Sequence, residues 1–150
     1  MIVKLVNTYP RLTFAEGDDF LWSPETETIH YDPSRMDTEQ GVWSLLHETG
    51  HALHGHTSYD FDIDLLKFEL EAWEKAKEIA LKFDITINQD YIEDNLDSYR
   101  DWLKRRSACP DCSYVNLQAV KNTYICFNCG CNWKVPVSQV CMVQRRKVTN

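Results

Sequence analysis

Residues 45–56 of this 150-residue chain read LLHETGHALHGH, four of its five histidines with Glu48 beside the first. Within that stretch His47-Glu48-Thr49-Gly50-His51 is an H-E-x-x-H match. On a helix this spacing sets two imidazoles one turn and about 40° apart, so that both reach one zinc ion at roughly 2.1 Å. Glu48, about 100° further round, is placed to take a proton from an activated water without ligating the metal. The chemistry served by such a pattern is metal-assisted hydrolysis. The plainer reading, a helix with surface histidines that bind nothing, gives Glu48 no task.

A third ligand is needed. His54 falls on the same side as His47 and His51, but three donors along one stripe, the outer two about 10.5 Å apart in rise, make a poor tetrahedron. In the metzincin frame a glycine and a histidine would follow His51 by three and six residues; those positions hold His54 and Thr57. Glu69 is the better donor. Leu65, Leu66, Phe68, Leu70, Ala72, Trp73, Ala76, Ile79, Ala80 and Phe83 form a broad apolar arc on a helical wheel, with Glu69 near its middle. A carboxylate on a buried face must be paired or bind metal, since burying it alone costs several kcal/mol. Glu71, on the opposite, lysine-bearing side, is the alternative, and an ion pair between Glu69 and a histidine is the metal-free reading.

A second constellation lies downstream. Cys109-Pro-Asp-Cys112 and Cys126-Phe-Asn-Cys129 form C-x2-C-x13-C-x2-C, in which each knuckle turns two thiolates toward one tetrahedral structural zinc. This resembles a zinc ribbon with TYICF and NWKVPV as hairpin strands, although Ser113 stands where a glycine often follows the first knuckle. Cys131 and Cys141 are left over; Cys131, two residues from Cys129, either competes for the metal or is buried as a small hydrophobe, and Cys141 has no assigned role.

All six cysteines lie beyond residue 107, and so does a change of charge sign. Residues 107–150 carry one acid against five bases, +4, leaving −11 of the chain's −7 to residues 1–106. The expected domains are therefore 1–106 and 107–150. With 43% hydrophobic residues the chain has enough apolar material for a core. No run of about 18 apolar residues occurs, and MIVKLVNTYPRLTF lacks the basic-then-apolar order of a secretory signal. The expectation is a cytoplasmic protein without a membrane segment. Tyr114, Tyr124, Phe127 and Trp133 among basic residues would suit nucleic acid, and a net charge of only +4 suits protein recognition at least as well.

The elements that must position these groups can be read in outline. IVKLV, RLTFA, DFLW and TIHYD, separated by turn-forming residues, suggest a small antiparallel sheet of three or four strands. A helix should start near Met36 to Glu39, capped by Asp37 or Thr38, and end around Gly55. Its apolar stripe is Val42, Leu45, Leu46, Thr49 and Leu53. Further helices are expected over about Asp60 to Phe83 and Gln89 to Arg106, with Lys104-Arg105-Arg106 read as a solvated helix end. The fold class is α+β.

His47-Glu48-Thr49-Gly50-His51 on one helix, followed by Glu69-Leu-Glu-Ala-Trp on the next, resembles the gluzincin clan of zinc metallopeptidases. The short chain with a sheet ahead of the helix is similar to minigluzincins, and E-x-x-A on the glutamate helix is similar to the intracellular family that cleaves phage repressors. The resemblance implies a peptidase in which His47, His51 and Glu69 hold a catalytic zinc and Glu48 is the general base. Oxyanion help would come from His54, His56, Tyr31 or Tyr59, each of which equally suits a structural role, His54 and His56 as bystanders or supports behind the zinc ligands; TIHYD would pair with an extended substrate at a sheet edge or serve only as sheet. In the clan a polar residue four positions after the ligand glutamate often supports a zinc histidine; here that place holds Trp73. The ribbon would dock substrate, gate the cleft or recruit a partner. The rival reading is a regulatory DNA- or protein-binding ribbon protein whose gluzincin-like part is a non-catalytic or latent scaffold.

Overall fold

The structure, a computed structural model, describes residues 1–137 and 145–148, and shows an α+β protein with four α-helices and two small sheets. Its residues group into two compact units, one of Met1–Thr57 with Phe68–Ile92 and one of Ser58–Lys67 with Glu93–Asn150.

In the first unit the chain opens with a helix, α1 (Ile2–Thr8), and not with the strand expected of IVKLV. Its apolar residues do not alternate in and out: Leu5 is buried whereas Val3 and Val6 are exposed. One anchored leucine suits a helical turn, so packing overrides the β-propensity of the segment. The sheet comprises β1 (Thr13–Glu16), β2 (Leu21–Ser23) and β3 (Thr28–Tyr31) in the order β1-β3-β2. It is mixed, not antiparallel. β2 folds back on β3 as a hairpin, and β1 takes the other flank of β3 in parallel register, Phe14 opposite Ile29. The TIHYD strand is therefore central and offers no free edge; the edges are β1 and β2.

Helix α2 (Glu39–His54) starts where the cap signals place it. The Thr38 hydroxyl accepts a 3.0 Å hydrogen bond from the Gly41 N–H, meeting one of the otherwise unpaired donors of the first turn. It ends at Gly55, whose φ of 66° lets the chain turn left-handed and close a pair of bonds, Gly55 N–H to Ala52 O and His56 N–H to His51 O. Leu45, Leu46 and Thr49 are fully buried as expected, while Leu53 at the end of the stripe is 37% exposed.

Helix α3 spans Asp62–Lys82 and α4 spans Gln89–Ser107, and each contributes residues to both units. Along α3, Glu69, Ala72, Trp73, Ala76, Ile79 and Ala80 are buried at helical spacing. Gly50 of α2 meets Ala72 so closely that an added Cβ would lie 2.4 Å from the Ala72 carbonyl oxygen. A side chain there is excluded by backbone, and this close approach sets α2 against α3.

The second unit holds an antiparallel sheet of β4 (Gln118–Val120), β5 (Thr123–Ile125), β6 (Asn132–Lys134) and β7 (Arg146–Lys147) in sequential order. The expected hairpin is β5 and β6, with Tyr124 and Trp133 directly paired and stacked 5.3 Å apart. Arg106 is not part of a solvated helix end. It is 1% exposed and forks onto the equally buried Asp62 at 2.7 and 3.0 Å, with the Tyr124 hydroxyl donating to the same carboxylate at 2.5 Å. The Trp133 indole N–H donates to the Arg106 carbonyl. A carboxylate two residues past the start of the expected α3 had no visible partner in sequence, which is why a basic run read as solvent-facing.

Candidate metal centres

Among the described residues two groups of side chains are placed to hold a metal ion: Cys109, Cys112, Cys126 and Cys129, and His47, His51 and Glu69, the donor atoms of each lying within 4.8 Å of one another.

In the first group the Cys109 and Cys129 sulfurs are 3.6 Å apart and those of Cys112 and Cys126 are 3.5 Å apart. A disulfide would bring sulfurs to about 2.05 Å, whereas tetrahedral thiolates at 2.3 Å from one zinc stand about 3.8 Å apart. The spacing fits donors around an ion. Both knuckles close by a backbone bond, Ser113 N–H to Cys109 O and Gly130 N–H to Cys126 O, each 2.9 Å. Ser113 takes φ of 61° and Gly130 of 75°, so the serine occupies the glycine conformation, at a cost of about 1–2 kcal/mol. Hydrogen bonding from the Asn128 side chain, then from the Tyr114 backbone, brings the Cys112 thiol down to about 6, toward the thiolate a metal requires. Cys131 stands outside the four-sulfur group, half-buried against the Trp133 core, with its thiol pushed up to about 11 by burial and then by Asp111. Cys141 lies outside the described residues.

The second group is built by two helices. One turn of α2 carries His47 and His51, whose Nε2 atoms lie 3.1 Å apart, and α3 brings the Glu69 carboxylate to 3.1 Å from His47 Nε2 and 3.6 Å from His51 Nε2. Nitrogen and oxygen donors at about 2.1 Å around a tetrahedral ion are about 3.4 Å apart, so the three edges have the dimensions of a metal site. Glu69 is 5% exposed. Burial by itself would raise its pKa; the hydrogen bonds and charges of His47 and His51 reverse this and hold it at about 2. Glu71, the alternative, does not join the group. Its carboxylate lies 3.2 Å from His56 Nε2 and is partly exposed.

The histidine rings are held differently. His47 stacks on Trp73 at 4.2 Å, and its Nδ1 is buried without a hydrogen-bond partner among the described residues. Trp73 thus supports the His47 ring with an aromatic face. His51 turns its Nδ1 to His56 Nδ1, 2.9 Å away. His56 is buried and stacked between His54 and Phe68, and burial, then the neighbouring His51, holds its pKa below the ordinary histidine value. The sequence leaves His56, with His54, open between an oxyanion donor, a bystander and a support behind a zinc ligand; the structure sets it behind His51. The overlooked signal was Gly55, whose left-handed turn returns the next residue to the side of His51.

Glu48 accepts a 2.7 Å bond from the Trp22 backbone N–H, and the Trp22 indole donates to His56 O at 2.8 Å. Of the other oxyanion candidates, Tyr31 donates to Glu16 and Tyr59 belongs to the second unit.

Comparison with protein-family models, with curated proteins and with solved structures finds no match for the chain. Among the described residues no helix is long and apolar enough to cross a membrane.

Proposed function

We propose that the chain is a zinc-dependent peptidase of gluzincin type, with a catalytic zinc at His47, His51 and Glu69 and a structural zinc in a C-terminal ribbon. The observation that carries the reading is the convergence of His47 Nε2, His51 Nε2 and the Glu69 carboxylate within 3.1–3.6 Å, with Glu48 on the same helix. A zinc ion bound there supplies a Lewis acid that polarises a peptide carbonyl and acidifies water. His47 and His51 would serve as imidazole nitrogen donors, and the Glu69 carboxylate would be the one anionic ligand among the three. Glu48 takes the proton from the attacking water and passes it to the leaving amine. An extended peptide would be received along β2, the edge strand whose Trp22 N–H faces Glu48, by strand addition.

The engagement of Glu48 by Trp22 favours a second reading, in which the enzyme is latent until that bond is exchanged. In either form the ribbon would contact a protein or nucleic-acid partner, with Phe127, 82% exposed at the tip of its second knuckle, at the centre of the contact. The test is cleavage of a mixed peptide library by the zinc-loaded chain. Activity removed by a chelator and restored by zinc supports the peptidase; a metal-loaded chain that leaves every peptide intact, with or without a ribbon ligand, refutes it.

A further inference from the structure

Beyond the three donors, His51 is linked to two further side chains: its Nδ1 lies 2.9 Å from His56 Nδ1, and His56 Nε2 lies 3.2 Å from Glu71 Oε2. We propose that His56 and Glu71 are positioning residues that fix His51 in the one tautomer able to bind a metal. The inference rests on the reading of His47, His51 and Glu69 as a metal site.

The direction follows from counting protons. Two imidazole nitrogens at 2.9 Å form a hydrogen bond only if one of them carries the proton. Were it on His56 Nδ1, neutral His56 would turn a bare Nε2 lone pair toward the Glu71 carboxylate, two acceptors face to face. His51 would then carry its proton on Nε2, aimed at His47 and Glu69, where a metal must go. With the proton on His51 Nδ1, every contact is satisfied. His51 donates to His56, His56 donates from Nε2 to Glu71, and the His51 Nε2 lone pair is left free on the side of Glu69. The carboxylate of Glu71 therefore selects the tautomer of a ring it does not touch.

His56 cannot be a fourth ligand to the same ion, because it meets His51 at Nδ1, across the ring from the nitrogen that faces Glu69. Its own orientation is fixed. The ring is stacked on Phe68 at 4.3 Å with an 11° tilt, its carbonyl accepts the Trp22 indole bond, and its N–H closes the Gly55 turn. The relay also accounts for the asymmetry of the site, since His47 has Trp73 stacking where His51 has hydrogen bonds.

The experiment is a competitive titration of the full chain with zinc, and with cobalt, whose visible bands separate a nitrogen and oxygen site from a tetrathiolate one. The unmodified chain is measured first. His56→Ala is expected to weaken binding at the histidine site about 10- to 100-fold and to alter its cobalt spectrum, with the ribbon site unchanged. His56→Asn, whose Oδ1 can accept from His51, should recover most of the loss. Glu71→Ala should weaken binding and Glu71→Gln restore part of it; this pair decides the matter if His56→Ala does not fold. Unchanged affinity and spectrum in His56→Ala and Glu71→Ala, or an asparagine no better than alanine, would overturn the relay alone. An unmodified chain that binds metal only in its ribbon would overturn the metal site and the relay with it. A chain that binds at both sites but cleaves nothing would leave the relay standing and remove only the peptidase.

Discussion

The carboxylate of Glu48 on α2 accepts a 2.7 Å hydrogen bond from the backbone N–H of Trp22 on the edge strand β2. The residue proposed as general base thus also ties helix to sheet, and its two roles can be separated by substitution. Glu48→Gln keeps an acceptor oxygen, whereas Glu48→Ala leaves a part-buried N–H unpaired, at a cost of about 1–3 kcal/mol. Urea unfolding should show Glu48→Gln near the parent and Glu48→Ala clearly below it.

Gly50 lies where any Cβ would meet the Ala72 carbonyl oxygen at 2.4 Å. Gly50→Ala must push α2 and α3 apart, and Glu69 is carried on the helix that moves. Overpacking of this kind costs about 1–3 kcal/mol, and it outweighs the helix propensity alanine would add. The expected outcome is a lower unfolding midpoint together with weaker zinc binding at the histidine site, read by competitive titration. A stabilised chain would contradict the close packing of the two helices.

Asp62 and Arg106 form a buried bidentate pair in the second unit. Removing one partner strands the other charge, so Asp62→Ala or Arg106→Met should each destabilise by about 3–5 kcal/mol. The double variant should cost less than the two singles together, because no uncompensated charge remains. Denaturant unfolding followed through tryptophan fluorescence measures all three.

Tyr124 donates to the same Asp62, and burial, followed by that carboxylate, raises its pKa above the ordinary 10.0. The folded state then holds a proton that the unfolded chain releases. This stability is complete below pH 10 and is lost as pH rises from there toward the folded-state value. Thermal unfolding across alkaline pH should show the midpoint falling above about pH 10, and Tyr124→Phe should flatten that fall.

These relationships mark how far the sequence could be read. The bounds of α2 were legible because Thr38 and Gly55 are local signals with local causes, and Glu69 was legible because a carboxylate amid an apolar arc needs a partner. The cysteine knuckles were legible from spacing alone. The sheet was not: alternation of apolar residues cannot say which flank of β3 receives β1, and IVKLV has β-forming residues yet buries only Leu5. The Asp62–Arg106 pair was hidden because its partners are 44 residues apart. His56 was legible as a bystander or a support behind a ligand, but its partners His51 and Glu71 were not, because they depend on where the Gly55 turn sets the ring against α3.

The most direct measurement compares peptide cleavage by the intact chain and by Glu48→Gln, each first shown to carry its full metal content. The expected result is about two zincs per chain in both proteins, with cleavage in the variant reduced about 10²- to 10⁴-fold. Cleavage that survives Glu48→Gln unchanged would contradict a hydrolytic centre built on His47, His51, Glu69 and Glu48.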